Sequence, residues 1–99
     1  MRLDVRFERR ARDDLKAIFD WIAEGDVARA YLSRIYRRCD KLGDFPDQGS
    51  DRSDITPGLR TINFERRITV VYIVVPDTVR ILRVLSKGQR VDLSPTASR

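Results

Sequence analysis

The run Ile-Thr-Val-Val-Tyr-Ile-Val-Val at Ile68–Val75 constrains the fold more than any other stretch of the chain. It is rich in β-branched residues and apolar at odd and even positions alike, the pattern of a strand covered on both faces. Strand-like runs flank it at Leu59–Phe64 and at 78–85, joined through Glu65-Arg66-Arg67 and Pro76-Asp77. Links this short pair neighbouring strands antiparallel, so the three runs form a meander. Arginines stud the outer two strands, Arg60 on the first, Arg80 and Arg83 on the last, with Lys87 just beyond. A hydrophobic sheet that carries so many cations is what a function has to account for.

The upstream half supplies the cover that such a sheet needs. Residues 2–7 alternate polar and apolar, so Leu3, Val5 and Phe7 point inward from a first strand. A helix over 9–23 follows, with Ala11, Leu15, Ile18 and Ile22 at helical spacing and Glu8 at the cap position. Gly25 is expected to end it and Asp26 to cap a second helix over 27–42. That helix puts Ala28, Leu32, Ile35, Cys39 and Leu42 on one face, and Arg29, Arg34, Arg37, Arg38 and Lys41 on the other. Trp21, Tyr31 and Tyr36 fall at the stripe edges and read as core margin. Two amphipathic helices with so short a link fold back as an antiparallel hairpin. Residues 43–52 are a loop by composition, pinned to the core by Phe45 as a plug, and Thr56-Pro57-Gly58 turns the chain into the meander. The expected architecture is α+β, βααβββ, an antiparallel sheet packed against an α-helical hairpin. One domain is expected over 1–93, with 94–99 a flexible tail.

Charge narrows the partners. Seventeen of the twenty Lys+Arg are Arg, and the net charge of +5 favours an acidic partner, either nucleic acid or an acidic protein. One cysteine and no histidine exclude an internal disulfide and a zinc site of the usual kind, and no metal or cofactor is expected. The sequence has no leader-like or membrane-spanning run, which reads as a cytoplasmic protein without a membrane partner.

Acid–base catalysis near neutrality relies on histidine or on a carboxylate with a raised pKa. Asp13, Asp14 and Asp20 alternate with Arg9, Arg10, Arg12 and Lys16, the pattern of an exposed, salt-bridged helix face. One catalytic route survives, RNA cleavage through its own 2′-OH, in which Arg60, Arg66, Arg67, Arg83 and Lys87 stabilise the phosphate. It still needs a perturbed Lys87, Tyr72 or carboxylate for proton transfer. Alternation places Arg60 with Ile62 and Phe64, and Arg83 with Val79 and Ile81. A mid-strand cation among Ile81, Val84 and Leu85 needs a partner, so Arg83 reads as functional, whereas Arg66 and Arg67 read as a solvated turn.

The order of short motifs resembles the ParE branch of the RelE/ParE toxins of bacterial type II toxin–antitoxin modules. The resemblance runs through Ala11-x-x-Asp14-Leu15-x-x-Ile18 with Trp21-Ile22-Ala23, then Tyr31-x-x-x-Ile35 with Cys39-x-x-Leu42. It continues in Phe45-Pro46-x-x-Gly49, Gly58-Leu59-Arg60, Val71-Tyr72 and Ile81-Leu82-Arg83-Val84-Leu85. It implies a toxin that poisons DNA gyrase, is neutralised by an acidic ParD-like antitoxin in a hetero-oligomer, and meets operator DNA only through that antitoxin. RelE-like members instead cut messenger RNA on the ribosome, using a basic cluster often completed by a C-terminal His or Tyr. Residues 86–99 hold neither, which favours the gyrase reading and a non-enzymatic inhibitor without catalytic residues. The chain also departs from the ParE-like pattern after the last strand, where it reads Ser86-Lys87-Gly88-Gln89-Arg90-Val91-Asp92. The target-binding candidates are Arg60, Arg83, Lys87 and Arg90; the antitoxin-binding candidates are Trp21, Arg29, Tyr31, Arg34, Arg37 and Arg38. The alternatives are a RelE-like ribosome-dependent mRNA endonuclease using Arg60, Arg83 and Lys87, and a non-toxic basic nucleic-acid-binding module.

Overall fold

The computed structural model describes residues 2–86, so Lys87, Arg90, the domain limit at 93 and the tail 94–99 lie outside the described residues. In chain order the elements are β1 (Asp4–Phe7), α1 (Arg9–Trp21), α2 (Gly25–Asp40), β2 (Ser50–Asp51), β3 (Leu59–Phe64), β4 (Ile68–Val75) and β5 (Thr78–Ser86). Two 3-10 turns, Lys41–Gly43 and Pro46–Gln48, lie between α2 and β2. The sheet order is β1-β5-β4-β3-β2. The meander is antiparallel as expected, whereas β1 pairs parallel with β5 through Val5↔Val79 and Phe7↔Ile81, so the sheet is mixed. The helical hairpin carries the chain from one sheet edge to the other, and the meander returns to meet the first strand.

The hairpin covers one face of the sheet. Ala11, Leu15 and Ile18 of α1 and Ile35 and Cys39 of α2, with Leu42, meet Ile62, Phe64, Val70, Tyr72, Val79, Ile81 and Val84. Each fully buried aliphatic side chain there contributes about 1.5–3 kcal/mol. The opposite face holds a smaller cluster, Leu59, Val71 and Leu85, with Leu82 against it. Val71 turns to one side and Tyr72 to the other, which accounts for the doubly apolar run of β4.

Several local expectations are corrected. Helix α1 stops at Trp21, where the Ile22 amide donates to the carbonyls of Ile18 and Phe19. Gly25 opens α2 rather than closing α1, and Asp26 lies in the first turn of α2 rather than at its cap. Trp21 is 84% exposed and Phe45 62% exposed, so neither belongs to the core. The loop that Phe45 was expected to pin is held instead by Tyr72, as described below.

β5 carries a one-residue bulge. Val71 pairs with Arg83 but Tyr72 pairs with Ile81, leaving Leu82 without an opposite number. An extra residue shifts the alternation. Val79 and Ile81 face the hairpin before the bulge, and Val84 does so after it. Arg83 is thereby removed from the row of Val79 and Ile81 on which strict alternation places it.

Candidate partner and target surfaces

Where β1 ends, the edge of β5 continues beside α1, and Asp14 meets it there. The Arg83 Nε donates to Asp14 Oδ2 at 2.7 Å and its Nη2 to Oδ1 at 2.9 Å, while the Val84 amide donates to the same Oδ2 at 2.8 Å. One carboxylate therefore balances a strand cation and occupies a backbone donor beside the bulge. The two side chains are 12% and 14% exposed. Asp14 is thus not part of an exposed charged face; it is the partner that a mid-strand Arg83 requires. A shallow depression of about 290 Å³ adjoins the pair, lined by Glu8, Arg9, Arg10, Leu82 and Arg83. At its rim Glu8 accepts from Arg80 Nε at 2.9 Å, and this bond holds the Glu8 carboxyl below its ordinary range.

Arg60 stands on the opposite side of the sheet from Arg83 and has a different task. It lies across from Tyr72, and its Nη1 donates to the carbonyls of Gly49 at 2.8 Å and Asp47 at 3.2 Å. The Tyr72 hydroxyl accepts from the Gly49 amide and donates to the Pro46 carbonyl, both at 2.8 Å. Burial raises the Tyr72 pKa, against the pull of the Gly49 hydrogen bond and of Arg60. A Cβ on Gly49 would lie 2.6 Å from the Tyr72 hydroxyl and 2.8 Å from the Thr61 carbonyl, so close approach rather than backbone freedom requires glycine here. The Phe45-Pro46-x-x-Gly49 motif is a loop fastened by Tyr72 and Arg60.

The arginines of α2 separate into distinct settings. Arg29 bonds Asp26, and Arg34 forks onto Glu65 at 2.9 and 3.3 Å with its guanidinium 5.3 Å from the Tyr31 ring centre. Tyr31 in turn packs on Phe64, their ring centres 6.0 Å apart. Arg37 lines a shallow groove of about 320 Å³ between α2 and the edge strand β1, together with Val5, Phe7, Ser33, Tyr36 and Asp40. Arg38 is only partly exposed, and its Nη1 is buried without an acceptor among the described residues. Trp21 stands at the hairpin tip, away from the groove residues in sequence and almost fully exposed.

The structure therefore does not gather Arg60 and Arg83 into one cluster. The first is tied to the 46–49 loop and the second to α1, while Lys87 and Arg90 lie outside the described residues. The Cys39 thiol is buried, and desolvation pushes it up to about 12, so it stays protonated at neutral pH.

Residues 5–91 match the sequence profile of the ParE toxin of the type II toxin–antitoxin system parDE. Toxin ParE3 of Caulobacter vibrioides is 40% identical over 75 residues, covering 73% of this chain and 74% of that protein. The chain belongs to the ParE toxin family. Among solved structures, the chromosomal ParDE toxin–antitoxin system from P. aeruginosa superimposes with a TM-score of 0.73 at 26% identity, over 85% of this chain and 95% of that one. The RelBE2 toxin–antitoxin complex from Mycobacterium tuberculosis shares the fold, with a TM-score of 0.64 at 21% identity over 88% of this chain and 100% of that one.

Most positions that carry the ParE resemblance are structural. Ala11, Leu15, Ile18, Ile35, Cys39, Leu42, Tyr72 and Val84 are buried together, Gly49 touches Tyr72, and Gly58 has φ of +83°. The reading from sequence missed Asp14 as the counter-ion of Arg83 and Glu65 as that of Arg34. Its sequence signal for Asp14 is present: the same helix face that buries Ala11, Leu15 and Ile18 also carries position 14, one residue before Leu15.

Proposed function

We propose that this ParE toxin halts growth in the cytoplasm by trapping DNA gyrase in its cleavage complex, and that a ParD-like antitoxin neutralises it. The observation that carries this reading is the profile match over residues 5–91, which covers all of the described fold but its first three residues. The structural relative from P. aeruginosa is a ParDE system, which supports a ParD-like partner here. Target contact is assigned to the end of β5, where Arg83 is held by Asp14 and the basic residues Lys87 and Arg90 follow in sequence. Arg60, bound to its own loop on the other side of the sheet, lies apart from that surface and is not assigned to it. The antitoxin covers the helical hairpin and the β1 edge, where Arg37 lines the groove with Val5, Phe7 and Tyr36, and it also meets Tyr31 and Arg34 on the side of α2 that faces Phe64 and Glu65.

The test uses purified toxin with gyrase, scoring both supercoiling and DNA cleavage. Stabilised cleavage products, removed by prior addition of the antitoxin, are expected. Unchanged supercoiling and cleavage at high molar excess, or cuts in translated messages on ribosomes, would replace the gyrase reading.

A further inference from the structure

β1 is an edge strand, and its free side is closed at both ends but not in the middle. The Glu8 amide donates to the Ile81 carbonyl, and Phe7 is the register partner of Ile81. Residues that bond the neighbouring strand alternate along a parallel ladder. Asp4, Arg6 and Glu8 therefore aim their backbone groups at β5, while Val5 and Phe7 aim theirs away. Two contacts agree with this parity. The Leu3 amide, also on the outer side, donates to the Gly43 carbonyl at 2.8 Å, and the Phe7 carbonyl accepts from Arg12 Nη1 at 2.7 Å. Between these two clamps the N–H and C=O of Val5 and the N–H of Phe7 meet no partner among the described residues. Sheet edges are ordinarily blunted along their length; this one is left open at a single point.

The groove beside that point suits a side chain as well as a backbone. Its wall is Val5, Phe7 and Tyr36, the two rings 5.2 Å apart in an edge-to-face contact, and Tyr36 is still 46% exposed. The charges on its rim do not cancel. Asp40 is taken by Arg2, whereas Arg37 is exposed and has no counter-ion among the described residues. An occupant must bring a backbone donor and acceptor for Val5, an apolar side chain for the ring wall and a negative charge for Arg37. A helix uses its backbone groups internally. A phosphate offers acceptors alone, with no donor for the Val5 carbonyl. An extended acidic peptide meets all three demands.

We propose that a short, extended, acidic segment of the antitoxin adds to β1 as a sixth strand, hydrogen-bonded at Val5 and Phe7, with one apolar side chain in the groove and a carboxylate on Arg37. That the segment belongs to the antitoxin rests on the function proposed above. The Gly43 loop and Arg12 stop the pairing at Leu3 and Phe7, so the segment is held through about three residues. The residue opposite Val5 shares its face of the sheet and enters the groove, while its two neighbours point to the other face. Main-chain bonds then supply affinity, and the alternate side chains supply the choice of partner.

The experiment is residue-resolved amide exchange by NMR on the full chain, free and in complex with the cognate antitoxin. In the free chain the Arg6 and Glu8 amides are expected to be protected and those of Val5 and Phe7 to exchange openly. In the complex, exchange at Val5 and Phe7 is expected to slow by about a hundredfold or more. The antitoxin residues facing them should carry strand-like chemical shifts. Arg37→Gln, with the melting temperature unchanged, should weaken antitoxin binding about tenfold. Arg52→Gln, on the loop at the opposite sheet edge where Arg52 pairs with Asp54, should weaken it less than about threefold. A Val5 amide already protected in the free chain, unchanged exchange in the complex, helical shifts opposite Val5, or wild-type affinity in R37Q each overturns the proposal. Any of these results in a complex that forms leaves the toxin–antitoxin reading standing. If no complex forms at all, that reading falls and the occupant proposed here falls with it.

Discussion

Asp14 and Arg83 are 69 residues apart in sequence and share a two-pronged ion pair at the one place where β5 bulges. The same carboxylate takes the Val84 amide, so helix α1, the bulge and the strand cation are joined through a single side chain. Removing it exposes two separate costs. Arg83, nearly buried, would lose the carboxylate that grips it with two hydrogen bonds, and a backbone donor would lose its acceptor.

Asp14→Ala is accordingly expected to destabilise the fold by about 3 kcal/mol. Asp14→Asn should lose less, because its amide oxygen still accepts from Val84. Arg83→Met in the D14A background should restore part of the loss, since a nearly buried cation stripped of its forked carboxylate costs more than an apolar replacement. Urea midpoints of the four variants in a double-mutant cycle check this. Strict additivity of D14A and R83M would remove the coupling.

The turn between β3 and β4 offers a stabilising change. Glu65 and Arg66 have φ of 49° and 62°, and the Arg67 amide bonds the Phe64 carbonyl at 3.1 Å. This is the twist that hairpins favour, made from residues that resist it. Glu65 is retained in place by Arg34 of α2, whereas Arg66 is exposed in the turn. Arg66→Gly is therefore expected to raise stability by about 0.5–1 kcal/mol with the fold unchanged. A thermal midpoint at or below that of the wild type would contradict it.

These two sites show what the sequence could and could not disclose. The β-branched run at Ile68–Val75 and the stripe Ala11, Leu15, Ile18 each announce an element, because periodicity is a local property. The bulge at Leu82 has no local signature: Ile-Leu-Arg-Val-Leu reads as an unbroken strand until its partner fixes the register. For the same reason Arg83 could be recognised as needing a counter-ion, while Asp14, embedded in a run of alternating charges, passed for solvated. The parallel pairing of β1 with β5 was equally hidden, since nothing in residues 2–7 says which strand will be their neighbour. Phe45 was misassigned by hydrophobicity alone; a tyrosine hydroxyl, not an aromatic ring, fastens that loop.

Tyr72→Phe tests that fastening. The change keeps the ring in the core and leaves the Gly49 amide and the Pro46 carbonyl without their common partner. A loss of about 1–3 kcal/mol is expected. Gly49→Ala should cost about as much by forcing its new methyl against the Tyr72 hydroxyl. In the Y72F background the methyl loses its closest clash, with the hydroxyl, while those with the Thr61 carbonyl and the ring Cε1 remain, so the two losses should fall modestly short of additive. A Y72F variant as stable as the wild type in chemical denaturation would mean that the loop is held elsewhere.

Alkaline pH should weaken the fold through Cys39. Desolvation raises its thiol from 9.0 to about 12, so the folded chain keeps a proton that the unfolded chain releases above about pH 9. With the folded pKa raised, the stabilising contribution is complete below about pH 9. It is then lost as pH climbs toward 12, at up to about 1.4 kcal/mol per pH unit. Tyr72 adds a decline of the same sign above its ordinary value of 10.0, because its pKa is also raised in the fold. Cys39→Ala separates the two: it carries a packing cost that does not depend on pH and lacks the thiol's slope. Urea midpoints at pH 8, 9.5 and 11 should therefore converge for wild type and C39A as pH rises. Parallel curves would show that the thiol ionises as readily in the fold as outside it, and so that water reaches the helix–sheet core at that point.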